Sequence, residues 1–240
     1  IDAKKIPELQ TLSFDTQNGL RLGASLACCK IIEDATAQQQ YPGLVEAAGL
    51  IGSDQVLARA SVGGNVCNGS PAADTTPVLI ALSAVCHIAG PNGTRDVPVE
   101  DFVTAPGQTV LEPNELLVEL RIPALQGKAA DCYQRFIPRN EMDIAVVGVG
   151  SCVALDGDTC TAARIGLGAV AARPLFAKEA GDSLVGKPLN EESLAAAAKL
   201  AQQAASPIDD MRGTAEFRTH LVGVLTRRTL KEAAARARAR

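Results

Sequence analysis

A chain of 240 residues, 47% of them hydrophobic, is long enough for one large domain or two smaller ones and can bury a substantial core. Aromatic residues make up only 3% and tryptophan is absent, so that core rests on Ala, Val, Leu and Ile, and few side chains could stack on bases. A formal net charge of -4 argues against nucleic acid or an anionic membrane surface as the main partner, and no apolar run approaches the roughly 18 residues of a membrane span.

In chain order, residues 20–26 read as a short strand and 28–37 as a helix. A second helix is expected over 41–51, with Leu44, Ala47, Ala48 and Ile51 at i, i+3, i+4 and i+7. The alternation over 56–62 predicts an extended segment that leaves through a turn at Gly63 and Gly64. Ser70 followed by Pro71 has the signature of a helix N-cap and first helical residue, and Thr76 that of a cap for a helix over 77–84. Residues 85–89 and 95–99 read as a hairpin across Pro91-Asn92-Gly93, and 116–122 as a strand ending at Pro123.

A change of composition over 125–130 marks a domain boundary, giving units 1–125 and 126–240. Beyond it, 131–137, 144–155 and 161–170 read as three strands, the last two joined by the hairpin signal Asp156-Gly157-Asp158. Helices follow over 175–184, 190–205 and 214–236. Strands followed by helices imply an α+β fold, in which a three-stranded antiparallel sheet carries helices on one face. Gly148 and Gly150 fit close packing within a strand better than a nucleotide loop, because a hairpin and not a helix follows. The basic tail, 227–240, reads as a solvated helix end that complements the dipole.

Seven cysteines, Cys28, Cys29, Cys67, Cys86, Cys132, Cys152 and Cys160, form no C-x-x-C pair. An odd set of unpatterned thiols fits small buried residues in a reducing, cytoplasmic setting and lacks the close spacing of iron-sulfur ligands. His87 and His220 have no neighbouring ligand pattern, so neither a metal nor a catalytic role is expected for them.

The stretch 55–74, QVLARASVGGNVCNGSPAAD, carries chemistry suited to an anionic ligand. Without Cβ atoms, Gly63 and Gly64 let backbone N–H groups approach a phosphate; Asn65 adds an amide and Ser61 a hydroxyl. Helix starts add a positive dipole end. Asp74 would repel a phosphate but can accept from a ribose hydroxyl or a ring N–H. The loop is neither G-x-G-x-x-G nor a P-loop, and on spacing alone such a turn is more often an ordinary one. Further on, Tyr133 and Arg135 share one strand face, so both can reach one ligand. Arg139 and Asp143 read as a structural ion pair, and Leu117 as core.

Four runs, in order, resemble one family. ASVGGNVCNGSPAADTTPVLIALSA (60–84) closely resembles the second flavin-binding motif in the FAD-binding medium subunit of molybdenum hydroxylases, the xanthine dehydrogenase and carbon monoxide dehydrogenase family. VPVEDFVTAPGQTVLEPNELLVELRIP (97–123), YQRFIPRNEMDIAVV (133–147) and RGTAEFRTHLVGVLTRRTL (212–230) resemble the same family. The resemblance implies an FAD-binding domain over 1–125, the second subdomain of a PCMH-type fold, followed by a smaller C-terminal domain over 126–240. The glycine-glycine loop of the family's first flavin motif has no counterpart in this sequence, so the FAD-binding domain is expected to be N-terminally incomplete.

By the same resemblance FAD is held noncovalently. Ser61, Val62, Gly63, Gly64 and Asn65 would lie at the pyrophosphate and ribityl region, Asp74 on the flavin side, and Leu117 and Arg135 near the ring. The family usually has lysine at the position of Arg135, and many relatives have arginine at that of Leu57; arginine keeps the charge of the lysine but changes its shape. The implied assembly is a heterotrimer with an iron-sulfur small subunit and a molybdopterin large subunit. Electrons would pass through FAD to NAD or another acceptor. No acid-base catalyst is expected. The rival reading is a noncatalytic assembly subunit, or a fragment, that has lost FAD.

Overall fold

The computed structural model describes residues 2–240. After two short 3-10 turns, β1 (Leu12–Asp15) and β2 (Gly19–Gly23) form a hairpin. Asp15 closes it: Oδ1 accepts from the N–H groups of Gln17 and Asn18 at 2.9 and 2.7 Å, and Gly19 then takes the left-handed φ of +87° that a side chain would resist. Helices α1 (Cys28–Glu33), α2 (Ala35–Gln40), α3 (Pro42–Gly49) and α4 (Asp54–Leu57) follow. The single helix expected over 28–37 is two, because Asp34 leaves the helical path and its carboxylate caps α2 by accepting from Ala37 N–H at 2.7 Å. Pro42 starts α3, where a missing N–H costs nothing.

The segment expected to be extended over 56–62 is not a strand. Its start lies in or just after α4, and Ser61 pairs with Ala27 as an isolated bridge before α5 (Val62–Cys67) and α6 (Thr75–Ala81). The predicted hairpin is β3 (Val85–Gly90) and β4 (Gly93–Pro98). A helical turn, α7 (Val99–Phe102), and the small pair β5 (Val103–Ala105) and β6 (Gln108–Thr109) lead to β7 (Leu116–Ile122), which has the bounds read from the sequence. It is the central strand of an antiparallel sheet ordered β1-β2-β7-β3-β4. Leu20, Leu22, Ile88, Leu120 and Ile122 of this sheet share one core with residues of α1, α3 and α6.

The second sheet contains β8 (Lys128–Phe136), β9 (Val147–Asp156), β10 (Thr159–Gly168) and a two-residue edge strand, β11 (Leu175–Phe176). β11 takes the start of the helix expected over 175–184, which shrinks to α8 (Lys178–Asp182). A reciprocal cap between Asn190 and Ser193 starts α9 (Glu191–Ala204), and the Thr214 hydroxyl, accepting from Phe217 N–H, starts α10 (Ala215–Arg238). Among the described residues, no helix is long and apolar enough to cross a membrane.

Alternate residues of β9 face different neighbours. Val147, Val149, Val153 and Leu155 join Leu194 and Ala197 of α9 and Val222, Leu225 and Leu230 of α10 in one apolar cluster, and Ser151 shares a 2.7 Å hydrogen bond with Thr229 of α10. On the other side, Gly148 and Gly150 stand opposite Gly168 and Gly166 of β10. A Cβ on Gly150 would lie 2.5 Å from the Val78 backbone, and one on Gly166 would lie 2.1 Å from the Pro77 carbonyl oxygen. α6 therefore lies directly on this glycine face, and α3 packs beside it on β8. The packing role expected of Gly148 and Gly150 holds. The sheet carries helices on both faces, correcting the expectation of one, because the first unit supplies the second layer.

The basic tail is a largely solvated helix end, as expected, but two of its residues also reach the first unit. Arg236 pairs with Glu46 of α3 and donates to the Asp131 carbonyl at 3.0 Å. Arg240 donates to the carbonyls of Ala129, Gln39 and Gln40 at 2.7, 2.6 and 2.9 Å. Arg236 and Arg240 thus bridge the two units, while Arg227, Arg228, Lys231 and Arg238 stay exposed and Arg240 itself keeps a face to water.

Candidate functional site

The candidate site is built around the first turn of α5. Ser61 is extended, at φ -136°, and its hydroxyl accepts from Gly64 N–H at 3.1 Å, the N-cap geometry. Gly63 and Gly64 are thus helical and do not form a separate turn. Gly63 is needed for approach: a Cβ there would lie 2.4 Å from the Ala24 carbonyl oxygen, so α5 sits against the end of β2. Gly64 is exposed, with only the Ser61 hydroxyl near its missing side chain. The Val62 side chain is buried, which leaves its backbone as the part able to meet a ligand. In a helix's first turn, N–H groups such as those of Val62 and Gly63 have no intrahelical acceptor.

Ser70 caps a local turn, accepting from Ala72 N–H at 3.2 Å, and starts no helix. α6 begins five residues later, and neither Ser70 nor Thr76 caps it. Its first residue is held by Asn65, whose Oδ1 accepts from Thr75 N–H at 3.1 Å and from the Thr75 hydroxyl at 2.7 Å. The amide nitrogen of Asn65 remains as its donor.

Next to Thr75, Asp74 is buried under β8. The Tyr133 hydroxyl donates to its Oδ1 at 2.8 Å, and Arg135 Nη1 to its Oδ2 at 2.7 Å. Burial pushes the Asp74 carboxyl above its ordinary range, while Arg135 and the Tyr133 hydroxyl pull it back. Burial also pushes Tyr133 well up, with the Asp74 charge adding to it, so this hydroxyl acts as a donor. The Arg135 side chain is 6% exposed, and its Nε–H has no acceptor among the described residues. The guanidinium borders a cleft of about 380 Å³ shared with Leu50, Ser53, Asp54, Leu57 and Met142. Leu117 does not border it; at 1% exposure its side chain lies in the core.

Arg139 and Asp143 pair at 3.6 Å, and Asp143 also meets Arg212 at 3.3 Å, a third charge the sequence reading did not assign. Asp131, which no local motif marks, is fully buried and accepts from Leu44 N–H at the start of α3, at 3.1 Å. Burial drives this carboxyl up to about 7 against the pull of the α3 N–H groups. A signal existed, since an acidic residue opening an apolar strand needs a partner, but nothing local names α3. Burial also raises the thiols of Cys28 and Cys67 to about 11, so neither is a ready nucleophile.

Residues 1–125 match the family model for the FAD binding domain in molybdopterin dehydrogenase, and residues 133–233 that for the CO dehydrogenase flavoprotein C-terminal domain. The chain is 34% identical to the carbon monoxide dehydrogenase medium chain of Hydrogenophaga pseudoflava, over 98% of this chain and 82% of that protein. It is 30% identical to the xanthine dehydrogenase FAD-binding subunit of Escherichia coli O157:H7, over 99% of this chain and 82% of that protein. Among solved structures, it superposes on a chain of reconstituted CO dehydrogenase from Oligotropha carboxidovorans with a TM-score of 0.92 and 32% identity, over 97% of this chain and 81% of that one.

Proposed function

The chain belongs to the FAD-binding medium subunits of the molybdenum hydroxylases, and from that premise we propose that it relays electrons from a partner's iron-sulfur clusters through FAD to NAD or another acceptor. It is a subunit of an FAD-dependent oxidoreductase. In this reading its partners are an iron-sulfur small subunit and a molybdopterin large subunit in a cytoplasmic heterotrimer. The flavin-holding domain runs over 1–125 and the smaller domain over 126–240.

The residues present fit an extended, anionic cofactor. The observation that carries the reading is the buried Arg135 Nε–H, left without an acceptor beside the cleft. An exposed glycine in the first turn of α5 fits the same cofactor, since backbone donors at a helix start favour a phosphate.

FAD supplies the redox chemistry when bound. The chain's residues bind it and orient it. The Val62, Gly63 and Gly64 backbone and the Asn65 amide would meet the pyrophosphate and ribityl region, while the Ser61 hydroxyl keeps the α5 turn in shape. Asp74 would act on the flavin side chiefly by neutralising Arg135, since both of its oxygens are engaged. Arg135 would supply a fixed positive charge near the ring. Leu117, enclosed in the core, would shape that environment through the strand that carries it. No acid or base is assigned among these side chains; a proton that the flavin takes up with its electrons would come from solvent.

The test is an absorption spectrum of the full-length chain before and after addition of FAD, followed by heat release and identification of the nucleotide. One flavin per chain supports the reading. A folded chain that takes up none points to the assembly-subunit alternative. Gly64→Asp places a negative charge at the α5 start and is expected to weaken FAD retention by about tenfold or more while the circular dichroism spectrum stays unchanged. Anaerobic mixing of the reduced protein with NAD, and separately with a quinone, identifies the acceptor.

A further inference from the structure

Tyr133 crosses the glycine face of β9. A Cβ on Gly148 would lie 2.6 Å from the Tyr133 hydroxyl, so the glycine is what lets the ring reach toward Asp74. The root of the residue is held from the opposite element, with its N–H donating to Glu46 of α3 at 3.0 Å. Its hydroxyl and the Arg135 guanidinium then take one oxygen each of the Asp74 carboxylate. All three side chains are buried, and one donor is left over, the Arg135 Nε–H. An unpaired buried N–H is costly, so an acceptor entering the neighbouring cleft would recover that loss.

We propose that Tyr133 is a positioning residue for the flavin site: through Asp74 it fixes the Arg135 guanidinium so that its spare N–H meets an acceptor atom of the cofactor. The inference rests on the flavoprotein reading and adds to it a residue that does not touch the cofactor. Arg135 supplies the charge and the donor. Asp74 compensates that charge and holds one side of the planar fork. Tyr133 supplies the bond that keeps Asp74 in place in surroundings that disfavour its charge. A phenylalanine at 133 would keep the ring and lose only that bond.

The experiment is a double-mutant cycle read by FAD titration of the full-length chain, Tyr133→Phe, Arg135→Met and the double variant, with thermal melting of each flavin-free protein alongside. Each single change is expected to raise the dissociation constant about tenfold, equivalent to about 1.4 kcal/mol. The double variant is expected to bind no more weakly than Arg135→Met alone, since Tyr133 then has nothing left to position. Gly148→Ala keeps the hydroxyl but crowds it, and should reproduce the loss of Tyr133→Phe; it also replaces that variant in the cycle if Tyr133→Phe does not fold. Fully additive losses, or an unchanged dissociation constant in Tyr133→Phe, would overturn the inference while leaving the flavin reading intact. A parent chain that binds no FAD would overturn both.

Discussion

On the side of the C-terminal sheet that faces α10, Val147, Val149, Val153 and Leu155 fill space; on the side that faces α6, Gly148, Gly150, Gly166 and Gly168 leave it empty. The bulky face gains stability from apolar area removed from water, and losing part of it should cost a graded amount. The empty face depends on close approach, and any addition must push backbone away. The polar groups Asp131, Tyr133 and Arg135 stand on the empty face. Close approach brings the α3 N–H groups and the Asp74 carboxylate within bonding distance of them. The polar cluster of Asp74, Asp131, Tyr133 and Arg135 thus depends on missing side chains as much as on present ones.

The strongest way to break this comparison is Gly166→Val. Its Cβ would meet the Pro77 carbonyl at 2.1 Å, and backbone cannot swing aside as a flexible side chain can. The expected cost is about 3 kcal/mol or more, with loss of FAD, read from the denaturant midpoint and the flavin spectrum. A variant of parental stability would show that α6 is not pinned to the sheet.

Leu225→Ala tests the bulky face. Leu225 is buried in the α10 cluster, and truncation is expected to cost about 2–3 kcal/mol while flavin stoichiometry stays at the parental value. If flavin were lost in proportion to stability, the two faces would not be independent.

The smallest expected effect, and the one that sharpens the contrast, comes from Asp131. Burial holds its folded carboxyl near 7, whereas an unfolded aspartate titrates near ~3.9. Between roughly pH 4 and 7 the folded state keeps a proton that the unfolded state has released, so this residue makes stability fall as pH rises through that window and level off above it. Asp131→Asn keeps an oxygen for the Leu44 N–H and removes the titration. Its melting temperature should show a flatter pH profile, so that it gains on the parent as pH rises from about 5 to 8. An unchanged slope would mean that Asp131 is ionised in the folded protein throughout.

Much of this architecture can be read from local sequence. β7 has its predicted bounds because apolar residues run up to Pro123, and the β9-β10 hairpin is announced by Asp156-Gly157-Asp158, where Gly157 takes φ +57°. The turn expected at Gly63 and Gly64 fails because glycine's poor helix propensity is overridden by the Ser61 cap and by packing on Ala24. The break at Asp34 was hidden because an aspartate at the edge of an apolar period can either continue a helix or cap the next one. Asp74 and Arg135 could each be named from sequence, but their pairing, 61 residues apart, could not. Tertiary partners likewise decide the arginine tail: local composition shows its charge, not the carbonyls it reaches across more than 100 residues.

The clamp made by that tail also has a timetable. Arg240 holds the carbonyls of Gln39 and Gln40, which precede it by 201 and 200 residues. At ribosomal speeds of ~5–20 residues per second, the first helices wait roughly 10–40 s for this closure. For the part of that interval before β9 and β10 are made, α6 has no glycine face to lie on. Slower translation across β9 and β10 would lengthen that exposure without altering a single native contact.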